Sequence, residues 1–250
     1  MDREVWQQVI TETSVPAWRC PVCKMGHTHL EEGAFRFEET AESVRWRNDD
    51  GWDPDWIDYA FTAWAYCTNP GCGQRFCISG NGGINEVYDE DGVDWLEYFL
   101  PKHCHPMPWI IEIPKKCPRE IKEELKSAFS LFWSHRPACA GRLRVVLELL
   151  MDHIGVPTEI TREDQKVRQL KLHHRIEHFM SQNQAVGAQL MALKWLGNTG
   201  AHDSSVMKKD LLDAFEILEY ALEEIVDMRA ERVAELAKKL QDKHSNKPEG

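Results

Sequence analysis

An α+β fold is predicted, a β module followed by an all-α helical bundle, and three observations predict it. Short runs of alternating apolar residues separated by turn residues fill the first part, a helical apolar period fills the second, and a proline-punctuated stretch divides them. Composition shifts at the same place, with Trp, Gly, Asp and Cys concentrated before it and Leu, Glu, Lys and His after it. The 250 residues suffice for two modest domains, placed at 1–113 and 118–245.

Residues 1 to about 17 read as a short amphipathic lead-in ending at Val15-Pro16. Strand-like runs follow at Ala34-Phe35-Arg36-Phe37, Ser43-Val44-Arg45-Trp46, Ala60 to Tyr66 and Arg75 to Ile78. Between them, Asn48 to Trp56 is an acidic, aromatic segment whose Asp spacing does not match a calcium loop and fits a solvated turn. Asn81-Gly82-Gly83 and Asp89-Glu90-Asp91-Gly92 are further turn signals, and Pro101 to Pro118 reads as the linker.

Pro118 and Pro137 stand at first-turn positions and open helices over Glu120–His135 and Ala138–Ile154, with Gly155 placed to stop the second. In that second helix Leu143, Val146, Leu147, Leu150 and Ile154 form an apolar stripe that needs a partner. Thr161 with Asp164 predicts an N-terminal cap for a third helix reaching about Met180, and a fourth runs from Gln184 to about Leu196 or beyond. The last is predicted as one long helix from about Ser205 to Lys243. Its stripe of Leu211, Phe215, Leu218, Leu222 and Ile225 thins after Met228 to Val233, Leu236 and Leu240, so the tail is expected to project or to pair with another chain. Five helices with short connections imply a bundle.

The sharpest chemical signal is Cys20-Pro21-Val22-Cys23 answered by Cys67-Thr68-Asn69-Pro70-Gly71-Cys72. Two cysteine pairs on tight turns are what a tetrahedral Zn²⁺ needs, and four thiolates leave no open position for substrate or catalytic water. A structural zinc site is expected, which makes the β module zinc ribbon-like, with a long insertion between its knuckles. Cys77 is a possible replacement for Cys67, and His27 and His29 compete by proximity. Cys77, flanked by Phe76 and Ile78, reads as a buried packing thiol, Cys104 between His103 and His105 as a weaker ligand candidate, and Cys117 and Cys139 as single structural thiols. Met1-Asp2-Arg3-Glu4-Val5-Trp6 has no basic region followed by an apolar core, which favours metal over disulfides and a reducing, cytoplasmic setting.

A formal net charge of −11, with 30 Lys+Arg against 41 Asp+Glu, argues against coating nucleic acid by bulk electrostatics but leaves room for a local basic site. No apolar run approaches the roughly 20 residues that span a bilayer, so no membrane role is expected.

A second constellation lies in Lys194-Trp195-Leu196-Gly197-Asn198-Thr199-Gly200-Ala201-His202. On a helix Lys194, Asn198 and His202 fall at i, i+4 and i+8, and Arg144, Glu148 and Asp152 repeat that spacing on the second helix. Packing the two would line one groove with groups suited to holding a phosphodiester and moving a proton. The plainer alternative is that Gly197 lets helices approach, Asn198 and Gly200 end a helix, and Arg144–Glu148 is an ordinary i,i+4 ion pair.

The stretch from Pro137 through His202 to Val226, with Arg144-Val145-Val146-Leu147-Glu148 and Gly197-Asn198-x-x-Ala201-His202, resembles the domain of unknown function 4145. That family is in turn similar to the superfamily of higher-eukaryote-and-prokaryote nucleotide-binding helical domains. The resemblance implies an accessory protein of a prokaryotic phage-defence or restriction-type system, binding RNA, DNA or a partner protein, and a homodimer built through the helical domain. It also implies a ribonuclease-like motif in which Asn198 and His202 take the polar and histidine positions, with Arg144 and Lys194 around the phosphate. Gly197 stands where that motif has arginine, so a non-catalytic binding component is the first expectation. A metal-independent endoribonuclease using Asn198 and His202 is the second, and a zinc-stabilised scaffold or inhibitor the third.

Overall fold

The computed structural model describes the backbone of residues 1–89, 92–161, 167–202 and 206–245. Within these it describes every side chain except those of residues 89, 93, 198–202, 230 and 244–245. The architecture is mixed α+β, with an antiparallel four-stranded sheet in the N-terminal half and helices in the C-terminal half. The chain divides into two compact units. One holds residues 2–110 with 129–135, and the other holds Met1, residues 111–128 and those from 136 onward.

The sheet unit runs α1 (Arg3–Gln7), β1 (Thr28–Glu39), α2 (Ala41–Trp46), a 3₁₀ turn over Pro54–Trp56, β2 (Asp58–Cys67), β3 (Arg75–Asp89) and β4 (Gly92–His105). Its order is β1-β2-β3-β4, each strand antiparallel to the next. Alternation in β2 is strict: Phe61, Ala63, Ala65 and Cys67 are buried and the residues between them exposed or half-buried. On the inner face Phe99 lies 4.8–6.1 Å, ring to ring, from Phe35, Phe37, Phe61 and Tyr59. A second aromatic cluster joins Trp6 to Phe132 at 5.7 Å and Trp18 to Trp133 at 4.9 Å.

Three local expectations are corrected here. Asn81-Gly82-Gly83 is no turn but the middle of β3, because a Cβ at Gly82 would meet Phe99 Cδ1 at 2.5 Å and the bare strand gives that ring its place. Ser43-Val44-Arg45-Trp46 is helical: the Ser43 N–H donates to Thr40 Oγ1 at 3.3 Å and Ser43 Oγ donates to Glu39 Oε1 at 2.7 Å, local bonds that outweigh a strand-like alternation. The supposed linker is strand as far as His105, since β4 is an edge strand with an irregularity beside Pro101 and tolerates a proline there. The turn between Asp89 and Gly92 falls on residues 90–91, outside the described residues.

The helical unit takes in α3 (Arg119–Leu131) except for its last turn, α4 (Arg136–His153), β5 (Glu159–Thr161), β6 (Val167–Gln169), α5 (Leu172–Met180), α6 (Gln184–His202), α7 (Lys208–Val226) and α8 (Arg229–Ser245). Pro118 and Pro137 sit at the helix starts as expected, and Gly155, at φ +73°, stops α4. α4 packs on α6, which also packs on α5 and α7. Leu143, Val146, Leu147 and Leu150 are fully buried against this core, as are Phe215, Leu218 and Leu222 of α7.

Two further expectations change. Thr161 ends β5, which pairs with β6 through Ile160↔Arg168, so the third helix begins only at Leu172, and Asp164 lies outside the described residues. The last long helix is broken at Met228, whose φ of +49° cannot continue a right-handed helix. On α8 Val233, Leu236 and Leu240 are 54–60% exposed. Among the described residues no helix is long and apolar enough to cross a membrane.

Candidate functional site

Cys20, Cys23, Cys67 and Cys72 converge, with all four sulfurs within 4.8 Å of one another. Cys20 Sγ lies 3.8 Å from Cys72 Sγ, and Cys23 Sγ 3.6 Å from Cys67 Sγ. An ion held tetrahedrally at about 2.3 Å by four thiolates sets its sulfurs about 3.8 Å apart, so the residues fit a metal ion.

The local sequence explains the convergence. In the first knuckle the Lys24 N–H donates to Cys20 O at 3.0 Å, Lys24 adopts φ +58°, and the Gly26 N–H points at Cys23 Sγ at 3.4 Å. In the second, the Asn69 N–H points at Cys67 Sγ at 3.4 Å and the Cys72 N–H donates to Asn69 O at 3.0 Å. Thr68 N–H to His27 O at 2.9 Å ties the knuckles together. A Cβ at Gly26 would lie 2.4 Å from Cys67 Sγ, so only glycine fits between the knuckles.

The thiols are electrostatically unequal. Backbone N–H groups of Gly26 and Met25 pull Cys23 down to about 5, whereas burial pushes Cys67 up to about 12 and raises Cys20. A cation at the centre would offset that burial cost by pairing with the thiolate form.

Among the described residues His27, His29, Cys77 and Cys104 are not part of this group. Cys77 is exposed, correcting its reading as a packing thiol, because β3 turns Phe76 and Ile78 inward and must turn the residue between them outward. Cys104 faces Ile78 across the ladder and is pushed up to about 12 by burial. Cys117 and Cys139 are buried and free, as structural thiols should be.

In the helical unit, Arg144, Glu148 and Asp152 of α4 line a cavity of about 380 Å³ together with Thr158, Gln169 and Leu170, and with Lys171, Leu172 and Arg175 at the start of α5. The i, i+4, i+8 spacing thus brings its three residues to one pocket. Arg175, which sequence reasoning did not single out, is 6% exposed. Its Nη2 donates to Asp152 Oδ1 at 2.6 Å and to Val156 O at 2.9 Å, and its Nε has no hydrogen-bond partner among the described residues. Arg144 Nε lies 3.4 Å from Glu148 Oε1. Three cations against two carboxylates, at the N-terminus of α5, favour an anion.

Lys194 does not line this pocket: it is buried, with Nζ 3.7 Å from the Trp195 ring centre. A Cβ at Gly197 would meet Arg144 Cβ at 2.9 Å, so this glycine lies where α6 closes on α4. Asn198 and His202 fall in the final turns of α6, and their side chains lie outside the described residues. His173, His174 and Glu177 on α5 form another close group, in which the hydrogen bond from His174 holds the Glu177 carboxyl below its usual range.

Residues 126–243 match the family described as domain of unknown function DUF4145, and residues 8–104 match the domain of unknown function DUF8608. No curated protein and no solved structure is detectably similar to the chain.

Proposed function

We propose that the chain is a zinc-stapled, non-catalytic binding protein that holds nucleic acid by its phosphates in the α4–α5 pocket, as a component of a prokaryotic phage-defence or restriction-type system. The observation that carries this reading is Arg175: a guanidinium more than nine-tenths buried, with one N–H unpartnered, lining a pocket that also holds Lys171, Arg144 and a helix N-terminus. The zinc assignment rests on the four-thiolate donor set, and a ribbon-type module on its two knuckles. The defence setting rests on the resemblance of the helical region alone.

The test is fluorescence anisotropy with labelled single-stranded RNA and tRNA across a salt series. Arg175→Met, which keeps the buried stem, is expected to weaken binding roughly tenfold to a hundredfold, and Lys171→Gln to lower the salt dependence by about one contact. Equal affinity in wild type and Arg175→Met would remove the pocket from the reading. Because Gly197 occupies the position of the catalytic arginine, no RNA cleavage is expected; robust cutting lost in His202→Ala would establish the ribonuclease alternative.

The chain is further proposed to form a homodimer through α8, supported by Val233, Leu236 and Leu240 exposed at i, i+3 and i+7. Light scattering should give twice the chain mass for wild type and the 29.0 kDa chain mass for Leu236→Glu. A wild type that stays monomeric at all concentrations excludes it.

A further inference from the structure

The outer face of the four-stranded sheet belongs to neither the thiolate cluster nor the helical pocket. We propose that it is a platform for single-stranded nucleic acid, with bases stacked on Trp64 and Tyr66. These rings stand at i and i+2 of β2, on one face, about 6.6 Å apart along the strand. They are 48% and 37% exposed in the interior of a sheet, with a partner strand on either side.

The strand register shows what surrounds them. Tyr66 has His29 of β1 and Arg75 of β3 as its cross-strand neighbours, and the His29 ring meets Tyr66 edge-on at 5.4 Å. Trp64 is flanked by Cys77, and that in turn by His105. The next row outward reads Arg36, Thr62, Ser79 and His103. No carboxylate occurs among the registered pairs of these three rows, and the acids nearest Trp64 are Glu31 and exposed Glu32 in the β1 irregularity over residues 31–34, which lies opposite it. The first acid in register is Glu38, one row further, while Glu31 in the β1 irregularity pairs with Arg75. Exposed Lys102 adds a third cation, at the irregularity in β4.

Charge and aromatics together select the occupant. An acidic peptide satisfies Arg36 and Lys102 but gives the two rings nothing to stack on. A duplex offers phosphates but keeps its base faces stacked within itself. A single strand supplies both, a base face to each ring and phosphates to the cations beside them. The face lies in the sheet unit and shares no residue with the Arg175 pocket, so it stands or falls separately from the function proposed for that pocket.

The experiment titrates the full chain into fluorescein-labelled single-stranded RNA and DNA of about 12 nucleotides, and into the corresponding duplexes, at several salt concentrations. Trp64→Ala is expected to weaken single-strand binding roughly tenfold to a hundredfold and Trp64→Phe to recover most of it. Arg36→Ala and Lys102→Ala should each lower the slope of log affinity against log salt by about 0.7. The Trp64 effect should persist in an Arg175→Met background, which separates this face from the helical pocket. Unchanged affinity in Trp64→Ala, with metal content and melting temperature as in wild type, overturns the proposal. So does duplex bound as tightly as single strand. Absence of binding to every oligonucleotide also overturns it, and would assign the face to a protein.

Discussion

Removal of the zinc proposed at Cys20, Cys23, Cys67 and Cys72 is expected to unfold the sheet unit outright. A structural zinc bound by thiolates contributes an apparent 10–16 kcal/mol, roughly, near neutral pH, which matches or exceeds the entire stability of about 5–15 kcal/mol typical of a domain. Cys20 and Cys67 are almost wholly buried, so the empty cluster also leaves polarisable thiols packed against one another with no cation between them. Elemental analysis should find one zinc per chain. Stripping it with a mercurial and chelator, or making Cys20→Ser with Cys67→Ser, should abolish the near-ultraviolet tryptophan signal. Ligand thiols must shed protons to bind, so the metal is lost as pH falls and retained as it rises. A metal-free protein that keeps its strands and its melting temperature would sink the assignment.

Phe99→Ala is the second large effect, expected to cost about 3–5 kcal/mol. Phe99 is fully buried and its ring stands over the glycine run of β3, so truncation leaves a void bounded by Phe35, Phe61 and strand backbone that has no side chain with which to fill it. Faster amide exchange along β2 and β3, with a lower denaturation midpoint, is the measurement. Phe99→Leu should recover much of the loss. A cost under about 1 kcal/mol for the alanine variant would mean the sheet collapses around the gap.

The helix boundaries near Pro118, Pro137 and Gly155 were legible because each is a one-residue constraint on backbone torsion or on an N–H. The cysteine pairs were legible for a similar reason: their chemistry is short-range in sequence before it is long-range in space. What escaped depended on distant neighbours. Gly82 looks like a turn until Phe99 is seen above it, and Cys77 looks apolar by company until the parity of β3 is fixed by Phe76 and Ile78. The hairpin of β5 and β6 has no buried residue, so no hydrophobic pattern announces it. Met228 has no sequence signature for a left-handed torsion, so the stripe appeared to run through it. In the pocket, the spacing of Arg144, Glu148 and Asp152 was readable, whereas Arg175 acquires its place only when α5 folds back onto α4.

The segment between β1 and β2 holds α2 and the 3₁₀ turn, yet its two ends are already clamped by the pairing of Glu39 with Tyr59 and by the Thr40 N–H bonding Asp58 O at 2.8 Å. Neither the ladder nor the thiolate cluster sees how much chain lies between those clamps. Lengthening such a loop twofold costs only about 0.6 kcal/mol. Ser43, Arg47 and Ile57 tie the flanks of this segment to the sheet, so its exposed tip at residues 48–51 is the place where a foreign epitope or a fluorescent label can be spliced in while the knuckles and the outer face keep their form.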